Sequence, residues 1–348
     1  MVGWIRASGT AKWTTEVAYE EQAIPTVTTA APAAAPLRRT KWWSGVLKFI
    51  RKKPLGAIGF AIVGILVFAT LGTPTLSFGA PSLPNQPLGF ELGHPWLQRY
   101  SPDAVFKLNG RARIFEGASS DHWLGTDKTG RDVWSRVING ARRSLFVGLW
   151  ALILATVIGA TIGVVSGYFG GLLDTIVQRL MDALQSFPPL IALILIVSIN
   201  PLTSSPNLLV IAFALGFVGI PTVQRIVRAV VLATREQQYV EAARTIGASD
   251  LRTMRYYILP NIMASIIIVF STGLGVAILA ESTLGFIAPD KLPVGPSWGV
   301  MLNDAQPVIV DHPLPGLASC VAIAAAVLGF NLAGDALRDV LDPRLRLT

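Results

Sequence analysis

The chain has 348 residues, with 29 Lys and Arg against 21 Asp and Glu, a formal charge of +8. Apolar residues make up 52% and charged residues only 14%, against about 25% charged in a soluble domain, so a water-facing surface for this much protein is short of charge and a soluble enzyme is disfavoured. One cysteine (Cys320), no HExxH-type pair among His94, His122 and His312, and no GxxxxGK[ST] loop exclude an intrachain disulfide, the familiar metal motifs and a phosphate cradle. The expectation is a chain with no catalytic residue, no metal and no bound cofactor. Its basic residues flank apolar blocks and form no aromatic-interleaved patch, which favours a lipid membrane over nucleic acid.

In chain order, residues 1–40 are Ala/Thr/Pro-rich, lack the apolar core of a signal peptide, and predict a disordered cytoplasmic tail. Residues 41–71 read as a basic interfacial segment and a first span: Arg38, Arg39, Lys41, Lys48, Arg51, Lys52 and Lys53 cluster before the apolar run Leu55–Leu71. Residues 72–143 read as an extracytoplasmic segment. The uncharged run Ser144–Leu173 predicts a second span with a glycine-rich exit at Gly167, Gly170 and Gly171. Asn200-Pro201 and Ser204–Asn207 break the uncharged run Ala183–Gln224, giving spans at about 183–199 and 208–232. Asn261–Ala280 and Pro313–Gly334 complete six. The fold class is an all-α polytopic membrane protein with six transmembrane helices. Residues 144–334 form a five-helix core that includes a 233–260 loop, and 335–348 a cytoplasmic tail. Basic residues at the N-terminus and in the 233–260 loop (Arg235, Arg244, Arg252, Arg255) place both termini and that loop in the cytoplasm. The 72–143 segment carries nine basic residues, but loops longer than about 60 residues translocate largely regardless of charge.

Two segments carry more than span information. In the cytoplasmic loop, a helix over Gln237–Ile246 is expected to end at Gly247. Ser249 or Asp250 would cap a second short helix, which Pro260 would stop as the fifth span begins. The resulting elbow has small residues, Ala242 and Ala243, for close approach, and Glu241 and Arg244 for charge pairing. It suits a helix lying in a partner's groove, or else an ordinary basic interfacial helix. On the outer side, Thr126 and Asp127 look like turn or N-cap residues. Asp132–Asn139 predicts a short amphipathic helix that either braces the second span or docks a partner. Among the ionisable residues, Asp174, Arg179 and Asp182 flank the third span. Glu281 ends the fifth and is a candidate for the translocation path, since intramembrane charges usually face protein or water. Gly159 and Gly163, and Gly273 and Gly275, suit close helix packing.

The loop residues Glu241, Ala242, Ala243, Gly247, Leu259 and Pro260 resemble the E-A-A-x3-G…L-P signature of the inner-membrane permeases of binding-protein-dependent ABC importers, with Tyr257 where that pattern often has Ile. The segment His122–Asp132, with Ser135-Arg136, resembles the L-G-T-D-x-x-G-R-D-x-x-S-R stretch of the second permease of dipeptide/oligopeptide importers. The residues that carry it are Gly125, Thr126, Asp127, Gly130, Arg131, Asp132 and Arg136. Gly167–Gly171, Ser297–Gly299 and Gly334–Arg344 are similar to that family too.

The resemblance implies a type I ABC importer permease fold, with the elbow as the coupling helix seated on an ATPase. It also implies a sister permease, two ATP-binding subunits or domains that use ATP and Mg, an extracytoplasmic binding protein, and peptide as substrate. Similar permeases serve nickel, haem and other small solutes. An ion-coupled secondary transporter would instead call for midmembrane ionisable residues and an internal repeat, neither of which is evident here.

Overall fold

In the computed structural model, residues 51, 53–71, 100–108, 111–199 and 207–341 are described. The 1–40 tail, most of the basic cluster after it, residues 72–99, the turn at 200–206 and residues 342–348 lie outside the described residues.

The described chain begins with α1 (Pro54–Leu71), followed by a minimal antiparallel ribbon of β1 (Lys107–Leu108) and β2 (Arg111–Ala112). Then come α2 (Val133–Phe169), α3 (Gly171–Gln185), α4 (Pro189–Ser198) and α5 (Leu208–Arg235). Two short helices, α6 (Gln238–Thr245) and α7 (Asp250–Thr253), precede a π turn at Met254–Ile258 and α8 (Leu259–Ile287). The short helix α9 (Trp298–Ala305) and α10 (Pro313–Leu341) complete the order.

Among the described residues, four helices are long and apolar enough to cross a membrane: α2, α5, the continuous Asp250–Ile287 stretch and α10. The bent pair α3–α4 makes a fifth if counted as one span, and α1 is a shorter apolar helix. Length and apolarity alone therefore do not reach six: the 18 residues of α1 rise about 27 Å, just under a bilayer core of about 30 Å.

Several expected boundaries move, each for a local reason. The 183–199 span is broken, because α3 and α4 meet at an 82° bend across Ser186–Pro188. Pro188 and Pro189 lack amide hydrogens, and each disfavours a helical residue before it. Helix α2 begins at Val133, not Ser144, so residues 133–143 belong to it and not to a separate outer segment. The short amphipathic helix expected at Asp132–Asn139 is its first turns. Arg142 and Arg143 interrupt the apolar pattern but not the backbone ladder. Helix α8 runs on to Ile287, and α10 continues through Asp335–Leu341, where a tail was expected. The extension of α10 is anchored by an ion pair, Lys53 Nζ to Asp339 at 2.6 Å, which ties the start of α1 to the end of α10. Pro260 does not stop a helix: it sits in the first turn of α8, and the π turn before it widens the ladder where its ring would otherwise press on a carbonyl.

Helices α2 and α5 are packed backbone to backbone. A Cβ on Gly159 would lie 2.9 Å from the Ile220 carbonyl, and one on Gly163 2.8 Å from that of Gln224. From the other side, a Cβ on Gly216 of α5 would lie 2.7 Å from the Ala151 carbonyl. The spacing Gly159–Gly163–Gly167 repeats every four residues, which lines one face of α2 with backbone. Buried Gln224 donates to Ser166 Oγ at 3.2 Å within this seam. Helices α1 and α10 lock in the same way: a Cβ on Gly59 would lie 2.6 Å from Ala333 N, and one on Gly329 2.6 Å from Ile62 Cγ2.

Gly163→Leu is expected to lower the stability of the folded chain by about 1–3 kcal/mol through overpacking. The measurement is thermal unfolding of the purified protein in detergent, and a melting curve superimposable on that of the parent would refute the seam.

Candidate functional site

The Gly125–Arg136 motif folds into a knot of buried charge. Its glycines set the backbone: Gly125 has φ +72°, and a Cβ there would come within 2.1 Å of the Glu116 carbonyl. Thr126 follows, donating its hydroxyl to Arg113 O (2.5 Å) and accepting from Glu116 N–H (2.9 Å). The Asp127 carboxylate then accepts from the backbone N–H of Thr129 (2.8 Å) and of Arg131 (3.0 Å) and from the Thr129 hydroxyl (2.7 Å). It also accepts from Arg131 Nε and Arg136 Nη1, each at 2.8 Å. Asp304 of α9 joins from the other side, 2.8 Å from Lys128 Nζ, 3.5 Å from Arg131 and 3.6 Å from Arg136. Asp132 caps α2 by accepting from Ser135 N–H (2.8 Å) and lies 3.0 Å from His122 Nδ1, both side chains being 1% exposed. The rings of Tyr100 and Phe106 cover that His122.

Gly125, Thr126, Asp127, Gly130, Asp132 and Arg136 are thus buried and engaged within the chain, with Arg131 partly buried. The arrangement braces α2 against α9. Burial alone would raise the Asp127 carboxyl above its ordinary value, but Arg136 and Arg131, with the Arg131 N–H and Thr129, outweigh it and hold the group lower.

The elbow at 238–258 is the opposite case, with its signature side chains outside. In α6, Val240 and Ala243 point into the chain, while Glu241, Ala242 and Arg244 are exposed. The helix ends on Gly247 at φ +82°, with Ala248 N–H donating to Ala243 O at 3.1 Å and Gly247 N–H to Arg244 O at 2.9 Å. This is the glycine C-terminal motif that satisfies the last carbonyls. Nothing lies within 4 Å of a Cβ built on Gly247, so only its backbone angle demands glycine. Ser249 stands at the N-cap position of the next turn without a side-chain capping bond, its carbonyl accepting from Thr253 N–H at 2.8 Å. Arg244 lies over the ring of Tyr168 (5.0 Å), whose hydroxyl donates to Asp250 at 2.7 Å. Arg235 donates to Gly167 O at 2.9 Å. Tyr168, Asp250 and Arg235 therefore pin the elbow to the end of α2. Sequence reasoning missed these roles, because the contacts join residues up to 82 positions apart. Leu259 is half-buried and Pro260 exposed, both in the first turn of α8. Around the elbow, Ile246 (79% exposed), Leu251 (71%) and Tyr256 (64%) leave apolar surface uncovered.

The remaining candidate, Glu281, is fully buried within the chain and reaches no open face. Asp174 accepts from two nitrogens of Arg228, and Asp182 pairs with Arg225 at 2.5 Å, so these acids tie α3 to α5. Among the described residues, no group of three or more His, Cys, Asp or Glu side chains could hold a metal ion.

The described chain is thus a helical bundle with several membrane-length apolar helices, a charge-braced loop and an exposed elbow. Residues 159–347 match the family described as binding-protein-dependent transport system inner membrane component, and the chain belongs to that family. It is 38% identical over 251 residues, 72% of this chain and 82% of the relative, to a glutathione transport system permease protein of Pectobacterium atrosepticum. It is 32% identical over 304 residues (87% and 90%) to a dipeptide transport system permease protein of Alkalihalophilus pseudofirmus. A putative peptide transport system permease protein of Brucella abortus is 40% identical over 253 residues (73% and 82%).

Asp127→Asn should destabilise the folded chain by about 3 kcal/mol, because it leaves buried Arg136 with an incomplete counter-charge. A carboxyl held low in the folded state contributes stability above its unfolded pKa of about 3.9 and loses it as pH falls through the lower folded value. The gap in melting temperature between parent and variant should accordingly be full at neutral pH and close below pH of about 4. A gap that is constant with pH would rule out the charge as its cause.

Proposed function

We propose that the chain is the permease subunit of an ATP-driven ABC importer that carries peptides delivered by an extracytoplasmic binding protein, and that it forms half of the translocation path. Membership in the binding-protein-dependent permease family supports the class, and the printed names of its relatives, for dipeptide, peptide and glutathione systems, support the substrate. The single observation that carries the mechanism is the elbow at 238–258: an exposed two-helix segment with a glycine joint, held at the inner end of α2 and continuous with α8.

In this reading α1 and the bent pair α3–α4 each span alongside the four long helices, giving six in a type I permease fold. Exposed Leu55, Ile58, Ile65 and Phe68 suit a lipid-facing α1. The Lys53–Asp339 pair supports both chain ends lying on one membrane face, and the arginines of the elbow support that face being cytoplasmic. The partners are a sister permease and two ATP-binding subunits or domains, with ATP and Mg used on those subunits. Exposed Glu241, Ala242 and Arg244 would enter the ATPase groove, and closure of the ATPases would move α8 through the elbow as a rigid body.

Gly247→Val forces a β-branched residue into the left-handed region, at about 1–2 kcal/mol, and Glu241→Lys reverses the docked charge. Both variants are expected to assemble with the ATPase subunits in the membrane yet lose peptide uptake together with substrate-stimulated ATP hydrolysis. Wild-type uptake and stimulation in a correctly assembled variant would overturn the assignment.

A further inference from the structure

Beyond the signature helix α6, the second half of the elbow carries an open hollow of about 700 Å³, walled by Ser249, Leu251, Arg252, Arg255, Tyr256 and Tyr257. Helix geometry explains why these side chains meet. Arg252, Arg255 and Tyr256 stand at i, i+3 and i+4, which is one face of a helix. In the π turn at Met254–Ile258, Leu259 N–H then donates to the Met254 carbonyl five residues back, and the wider turn brings Tyr257 round to the same side.

The hollow is basic and aromatic. Arg252, Arg255 and Tyr256 are exposed, and the Arg255 guanidinium lies over the Tyr256 ring, 5.7 Å from its centroid. No acid lines the hollow, and neighbouring Asp250 is engaged by the Tyr168 hydroxyl. Whereas Arg225, Arg228 and Arg235 each pair with an acid, Arg252 and Arg255 pair with none among the described residues.

The place of the hollow along the chain points to what fills it. The same helical stretch continues directly into the uncharged run 256–280, inside a helix of membrane length. Arg255 lies about 6 Å and Arg252 about 10 Å before Leu259 along the axis. The polar layer beside the hydrocarbon core is about 5–8 Å deep, so both guanidinium groups reach it, Arg252 along its flexible stem. Tyrosine is favoured at that level because it joins an apolar ring to a polar hydroxyl. We propose that the hollow is a binding site for an anionic phospholipid, whose headgroup phosphate is held by Arg252 and Arg255 beside Tyr256 and Tyr257. Guanidinium forks match phosphate oxygens, and exposed Leu251 adds apolar surface for the lipid. An acidic protein segment would answer the charge, but the adjoining apolar helix favours lipid.

The site does not depend on the transport reading and is tested without substrate or ATP. The full-length chain in a neutral detergent is titrated with short-chain phosphatidylglycerol, and binding is read as a rise in melting temperature. Phosphatidylcholine of the same chain length, or inorganic phosphate at the same concentration, is expected to give no such rise. The double variant Arg252→Ala/Arg255→Ala is expected to weaken the apparent affinity for phosphatidylglycerol about ten-fold or more. Both side chains are exposed, so its lipid-free melting temperature should match that of the parent, which separates lost binding from lost folding. Arg179→Ala, which removes an exposed arginine of α3, should leave the affinity within about two-fold. Unchanged affinity in the double variant would overturn the site. So would an equal loss with Arg179→Ala, or an equal response to phosphatidylcholine or inorganic phosphate. A double variant that keeps the lipid response but no longer retains the ATP-binding subunits would overturn it too, by assigning the hollow to a protein partner.

Discussion

The contact on which the rest of the structure hangs is the glycine-lined seam between α2 and α5. Lipid is as apolar as leucine, so burial gives two membrane helices little reason to associate. Close backbone approach and the dispersion contacts it permits do the holding. Gly159, Gly163 and Gly216 remove the side chains that would hold the axes apart, and in each case an added Cβ would meet a carbonyl oxygen at under 3 Å. Both ends of α2 carry the chain's chemistry. Its N-terminal end holds the Asp132 cap, Arg136 and Arg143, and its C-terminal end offers the Gly167 carbonyl to Arg235 and Tyr168 to the elbow. The position of α2 therefore sets both.

The charges divide by place. At the N-terminal end of α2, Asp127, Arg131, Arg136 and Asp304 neutralise one another in a confined volume and join an irregular loop to α9. Along the bundle, Asp174 with Arg228 and Asp182 with Arg225 fasten the amphipathic α3 to α5. Only at the elbow are the charged residues of the signature loop presented outward, with Glu241 and Arg244 exposed. Charge spent inside the chain is architecture, and charge left outside is available to a partner.

The elbow and α8 are mechanically related. From Asp250 to Ile287 the chain is one helical stretch of 38 residues, whose N-terminal end belongs to the elbow and whose C-terminal part carries Glu281. Within the proposed importer, a displacement imposed at the elbow would travel along α8 without crossing a flexible joint, because the π turn at Met254–Ile258 widens the helix but does not break it.

The membrane class, the family, the glycine joint at Gly247 and the packing role of Gly159 and Gly163 were legible in the sequence. Each is written in local composition or in spacing along one helix. The helix boundaries were less so: an uncharged run marks where a helix can meet lipid, whereas the helix itself continues wherever the backbone ladder does, past Arg142 and Arg143 at one end of α2 and through Asp335–Leu341 in α10. The break at Pro188-Pro189 was visible as letters but lay inside an uncharged run that hid it. What the fold alone decided is the fate of the polar side chains. Spacing could not tell that Asp127 would meet Asp304's partners, that Arg244 would lie over Tyr168, or that Glu281 would be fully buried within the chain. Those neighbours come from distant parts of the chain, and a buried charge takes its role from whichever groups the packing of the helices brings to it.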